Sequence, residues 1–147
     1  MADKTRIVLM GRSAAGKTTL CQCISHEEVR YHKTQTVSIV NQNMIDTPGE
    51  YLERTYMRGA LMVSSTDADM IVLVQDATER GTMFPPAYNT MFAKPAVGVV
   101  TKKDLASEKD IEDAKGYLRL AGAGKIFVVS SVTGEGVAEL VEELALS

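Results

Sequence analysis

Short unbroken apolar runs alternate along the chain with stretches whose apolar positions recur every three or four residues, which predicts strands and helices in turn. Thr5 to Met10, rich in β-branched and apolar residues, reads as the first strand, and Lys17 to Ser25 as the helix that follows it. Val37 to Val40 and Asn43 to Asp46, on either side of Asn41-Gln42, carry a hairpin signal. After Pro48-Gly49, apolar residues at 52, 56, 57, 60, 61 and 63 set a helical spacing over Glu50 to Ser64. Met70 to Val74 and Val97 to Val100 are apolar throughout, as strands buried on both faces are. Between them Gly81 and Pro85-Pro86 restrict any helix in Glu79 to Lys94 to a short one or one beginning after the prolines. Ser107, with Glu108 or Asp110 behind it, caps a helix to about Leu120; Lys125 to Val129 is a last strand and Val137 to Leu146 an amphipathic closing helix. The order β-α-β-β-α-β-α-β-α-β-α calls for an α/β fold of three layers. Its sheet is mostly parallel and six-stranded with one antiparallel strand, with helices on both faces. Ligands in such folds bind beyond the carboxyl ends of the strands.

The loop at the end of the first strand carries the strongest chemical signal. Gly11-Arg12-Ser13-Ala14-Ala15-Gly16-Lys17-Thr18 reads G-x-x-x-x-G-K-T, between a strand and a helix, with Thr19 next. This spacing suits a chain that wraps a polyphosphate with consecutive N–H groups and a helix N-terminus. Gly11 and Gly16 permit the turn and close approach, Lys17 is expected as an exposed cation reaching the β- and γ-phosphates, and Thr18 as a Mg²⁺ ligand. The bland alternative is a glycine-containing turn with a surface lysine. A P-loop NTPase fold is the expectation.

Two further segments follow predicted strands. Asp46-Thr47-Pro48-Gly49 sets a carboxylate beside a chain able to swing about a glycine, so that Asp46 would hold the Mg²⁺ shell and the Gly49 N–H sense the γ-phosphate; alone it is also an ordinary Pro-Gly turn. Thr101-Lys102-Lys103-Asp104 offers a carboxylate that can accept from both guanine donors, with the Lys102 stem lying over the base. Its alternative is a solvated loop. Ser130-Ser131-Val132 can supply a backbone N–H to the guanine carbonyl, although such sequences are common in loops.

Composition narrows the partners. With 147 residues and 45% hydrophobic content, residues 1–147 fit one domain with a substantial core. A net charge of −3, without a basic patch, excludes nucleic acid as the main partner. No apolar run reaches a membrane span and no signal or lipidation motif is encoded, so a cytoplasmic protein without a membrane partner is expected. Cys21 and Cys23, two apart on a helix, project to different faces and read as reduced cysteines. His26 and His32 lack metal-ligand spacing.

The succession G-x-x-x-x-G-K-T, D-T-P-G, T-K-K-D and S-S-V resembles the boxes of Ras-like, translation-factor-class GTPases over nearly the whole chain. Within that class, Lys33-Thr34-Gln35, the run Asp46 to Tyr51 and the short length resemble the EutP/PduV family of ethanolamine and propanediol utilisation proteins. The resemblance implies a nucleotide-binding protein working beside a bacterial microcompartment, with shell proteins as partners. It also implies a rival activity, since EutP-like members are assigned as acetate kinases. GTP/GDP with Mg²⁺ is the expected cofactor set, with ATP/ADP the alternative. Thr34 is the expected Mg²⁺ ligand of the first switch, with Thr36 as runner-up; the catalytic candidates are Lys17, Thr34 and Glu50. Departures from the Ras-like pattern are Thr101 in place of Asn, which removes an amide that helps fix the loop and base, Ser13 in place of Gly, and Glu50 in place of the water-orienting Gln. Three readings follow: a GTP-binding switch with slow hydrolysis, an ATP-dependent acetate phosphotransferase, and a nucleotide-bound scaffold acting through shell contacts. Asp104 favours the first, and no second anion pocket for acetate is legible.

Overall fold

A computed structural model describes residues 6–12, 15–17, 19–20, 22–24, 44–46, 58–66 and 68–146. In chain order these form β1 (Ile7–Met10), a helix α1 seen at residues 17, 19–20 and 22–24, β2 (Met44–Asp46), α2 (Arg58–Ser65) and β3 (Met70–Asp76). Next come β4 (Ala96–Thr101), α3 (Glu108–Leu120), β5 (Lys125–Val128) and α4 (Val137–Leu146), with short 3-10 turns at Tyr88–Met91 and Lys103–Leu105. All described strands are parallel, in the order β2-β1-β3-β4-β5. The sheet therefore has five described strands against the six expected; the segment expected to supply an antiparallel strand, residues 37–40, lies outside the described residues, as do residues 50–57 of the expected second helix.

Alternation along the strands sorts the core into two layers. Val8, Met10, Ile71, Leu73 and Val100 face one way, against Ala114 and Leu118 of α3. Ile7, Leu9, Val72, Val74, Val97 and Val99 face the other, against Leu20 and Ile24 of α1 and Leu140, Val141 and Leu144 of α4. Since successive side chains of a strand point to opposite faces, unbroken apolar runs are what a sheet covered on both sides demands. Where Pro85-Pro86 forbid a regular helix, Phe84, Tyr88 and Phe92 fill the first layer instead, with ring centroids 5.4 and 5.2 Å apart in sequence order. Lys94 donates to the carbonyls of Ser65, Thr66 and Ala68 and so satisfies acceptors at the end of α2. No helix among the described residues is long and apolar enough to cross a membrane.

The start of α3 fixes the loop before it. Ser107 Oγ accepts from the Asp110 N–H at 3.1 Å, and Asp110 Oδ2 accepts from the Ser107 N–H at 3.2 Å, a reciprocal capping box. Ser107→Ala is expected to cost about 1 kcal/mol. Thermal melting should then show a Tm lower by about 2–4 °C. An unchanged Tm would mean the box contributes nothing.

Candidate functional site

β1 lies between β2 and β3, so the loop leaving it rises from an interior strand at the sheet's carboxyl edge. Gly11 is there because nothing larger fits: a Cβ on it would meet the Val74 carbonyl oxygen at 2.7 Å. Gly16 has φ of +96°, which L side chains rarely adopt. The turn is closed by the Ala15 N–H donating to the Arg12 carbonyl at 3.1 Å, and α1 begins with the Leu20 N–H donating to the Gly16 carbonyl at 2.8 Å. Lys17 is not the exposed cation that its motif position suggested. It is only 6% exposed, and its Nζ donates to the carbonyls of Gly11 at 2.7 Å and Arg12 at 3.1 Å. The ammonium is held at the loop it would serve. A glycine-turned backbone, a helix start and a buried cation together fit a polyphosphate. Arg12 turns aside, its guanidinium 2.7 Å from Glu79 beyond β3, while Thr19 sits exposed on α1.

Thr101 ends β4 almost fully buried, and its hydroxyl donates to the Ala15 carbonyl at 2.7 Å, with the Gln75 carbonyl 3.4 Å away. The amide lost by having Thr for Asn is thus replaced, for fixing the loop, by a hydroxyl that ties the loop after β4 to the loop after β1. Lys102 follows in the left-handed region at φ 64°, and the chain turns into the 3-10 segment that presents Asp104 to solvent. Ser130, 1% exposed, donates its Oγ–H to Asp104 Oδ1 at 2.8 Å and accepts from the Thr133 N–H at 3.2 Å. The two loops are further joined by the Lys103 N–H donating to the Val129 carbonyl at 3.1 Å and by the Lys103–Glu135 ion pair. Ser131 accepts from the Cys23 thiol at 3.5 Å, and Val132 is 83% exposed beside them. Thr101→Val leaves the Ala15 carbonyl unpaired in a buried place and is expected to cost about 1–3 kcal/mol. Denaturant unfolding reads this as a lower midpoint with an unchanged slope; a midpoint equal to wild type would show the tie to be inert.

Sequence reasoning missed Asp76 and Glu79. Asp76 ends β3, and its Oδ2 lies 2.8 Å from Lys102 Nζ while Oδ1 accepts from the Thr78 N–H at 2.8 Å and hydroxyl at 2.6 Å. Burial pushes this carboxyl up, but the hydrogen bonds from Lys102 and Thr78 outweigh it and hold it below the usual carboxylate range. The signal that would have found Asp76 is the one that picked out Asp46, Thr101 and Ser130: a polar residue just past an apolar run.

The glycine loop after β1 and the loops after β4 and β5 are therefore brought together at one edge. Asp46 closes β2, its backbone registered against Leu9 at that same edge. Ser13, Ala14, Thr18, Thr34, Thr36, Gly49 and Glu50 lie outside the described residues.

A family model for ethanolamine utilisation and propanediol utilisation proteins matches residues 4–146. The propanediol utilization protein PduV of Citrobacter freundii is 42% identical over 135 residues, covering 92% of this chain and 89% of that one. EutP of Escherichia coli K12, described as a probable acetate kinase, is 29% identical over 141 residues, covering 95% and 89%. Among solved structures, elongation factor SelB of Methanococcus maripaludis in complex with the GTP analogue GppNHp superposes with a TM-score of 0.68 at 20% identity, covering 98% of this chain and 34% of that one. The FeoB G-domain of Methanococcus jannaschii gives 0.65 at 19% identity, covering 99% and 97%. The fold is that of P-loop GTPase domains.

Proposed function

The chain belongs to the PduV–EutP family of ethanolamine and propanediol utilisation proteins, and from that premise we propose that it is a Mg²⁺-dependent guanine-nucleotide-binding protein with slow hydrolysis. The observation that carries the base preference is the Ser130 hydroxyl donating to Asp104 Oδ1 at 2.8 Å. A carboxylate has acceptor sites enough for that bond and for the two donors on guanine's edge, a pair that adenine does not present. Ser130 orients the carboxylate before any base arrives, and Thr101 sets its loop against the phosphate loop. The phosphates would be held by the backbone of residues 11–19 and by Lys17. Thr18, Thr34 or Thr36, and Asp46 would hold the Mg²⁺, whose chemistry is to neutralise charge on the phosphate oxygens. The cellular place proposed is the cytoplasm beside a microcompartment, with shell proteins as partners, as the family's role in diol and amine utilisation supports.

Among the described residues the arrangement is poor in hydrolytic equipment. Arg12 is committed to Glu79 at 2.7 Å, and a carboxylate at Glu50 adds repulsion beside a triphosphate. Intrinsic GTP hydrolysis is expected at or below about 10⁻⁴ s⁻¹, little changed or modestly raised by Glu50→Gln and insensitive to acetate. Calorimetric titration of GDP, GTP, ADP and ATP on nucleotide-free protein, followed by a single-turnover assay, tests this. Tighter ADP than GDP, turnover near about 1 s⁻¹ without a partner, or diphosphate release that requires acetate would turn the reading toward an acetate phosphotransferase.

A further inference from the structure

Two basic residues of the site, one from each motif, find their acids on a single short segment that neither motif contains. Lys102 of the base-side turn pairs with Asp76, and Arg12 of the phosphate loop pairs with Glu79. Asp76 divides its two oxygens between tasks. Oδ1 accepts both Thr78 donors and shapes the turn after β3, whereas Oδ2 faces the Lys102 ammonium at 2.8 Å. The Asp76 side chain is 13% exposed and that of Lys102 34%, so the pair lies at the sheet edge and only partly in water. Lys102 starts from a left-handed backbone at φ 64°, and its ammonium reaches the carboxylate at the end of β3. A long flexible cation that has to lie against a ligand loses rotamer freedom on binding, unless the protein has already ordered it.

We propose that Asp76 is a positioning residue for the nucleobase: through Oδ2 it holds the Lys102 side chain extended, so that its stem forms a ready surface for the purine face. This rests on the guanine-nucleotide reading and assigns to that site a residue outside its motifs. Asp104 reads the edge of the base, and Asp76, acting through Lys102, supports its face. The effect is on base affinity and leaves phosphate affinity alone.

The atoms suggest a clean test. Asp76→Asn keeps Oδ1 for Thr78 and replaces only the anionic Oδ2, so the turn persists while Lys102 loses the Asp76 anion. Calorimetric titrations of GDP and of inorganic tripolyphosphate on the full chain, for wild type, Asp76→Asn, Lys102→Met and the double variant, separate the possibilities. Asp76→Asn is expected to weaken GDP about three- to tenfold with tripolyphosphate unchanged, and to add no further loss in the Lys102→Met background. Unchanged GDP affinity in Asp76→Asn, equal losses for both ligands, or fully additive losses in the double variant would each overturn the proposal and leave the guanine reading standing. Wild-type protein that binds tripolyphosphate but not GDP would overturn the guanine reading itself, and this proposal with it.

Discussion

Lys17→Ala is expected to weaken GTP and GDP by at least about a hundredfold, because each charge-assisted hydrogen bond from an ammonium to a phosphate is worth about 1.5–3 kcal/mol and about 1.4 kcal/mol is a factor of ten. The buried position of Lys17 sharpens the expectation for the fold as well. Its ammonium donates to the Gly11 and Arg12 carbonyls, so the variant loses these hydrogen bonds and at the same time the cost of desolvating a cation. These oppose one another, and the net change in stability should lie within about 1 kcal/mol, a Tm shift of no more than about 4 °C. Calorimetry with Mg²⁺ present and a thermal melt on the same sample check both parts. A variant with wild-type affinity removes the phosphate-loop reading; one that fails to fold shows that the lysine is first of all a structural tie.

Asp104→Asn should exchange one base for another. Asn Oδ1 can still accept from the Ser130 hydroxyl, so the side chain keeps its orientation, but its Nδ2 now presents a donor toward solvent. Guanine brings an amine to that place and xanthine a carbonyl. GDP is therefore expected to weaken by about a hundredfold or more, with xanthosine diphosphate becoming the better ligand, since sites built on paired polar groups discriminate strongly against a mismatched edge. Competition titration of the two diphosphates measures it. Equal losses for both would mean that Asp104 supports the loop without reading the base.

Most of the frame was legible because its signals are local. Unbroken apolar runs placed β1, β3 and β4, and Ser107 with Asp110 placed the start of α3 at the capping residue. The apolar run ends at Val74 but the strand continues through Gln75-Asp76, a polar pair that after an apolar run has the pattern of a loop. Gln75 is in fact 2% exposed, its amide donating to the Gly81 carbonyl at 3.0 Å and accepting from the Thr82 hydroxyl at 2.8 Å. Such a polar residue is tolerated in the core because the loop at Gly81-Thr82 supplies a partner for each end of its amide. The burial of Lys17 was hidden for a similar reason. A motif fixes which residue meets a phosphate, whereas the carbonyls that hold the side chain depend on how the loop closes. Thr101 shows the limit most clearly: as a departure from a pattern it looked like a loss, and only the distance to Ala15 reveals a replacement.

That hydroxyl bond also has a consequence for the order of synthesis. Ala15 and Thr101 are 86 residues apart in the chain, so the phosphate loop is made early and its anchor late. At translation rates of about 5–20 residues per second, roughly 4–17 s separate the two. Throughout that interval β3, the neighbour of β1 on one side, and β4 beyond it are still being made or docked. In a nascent chain the loop after β1 therefore lacks its Thr101 tie until β4 has been made and docked.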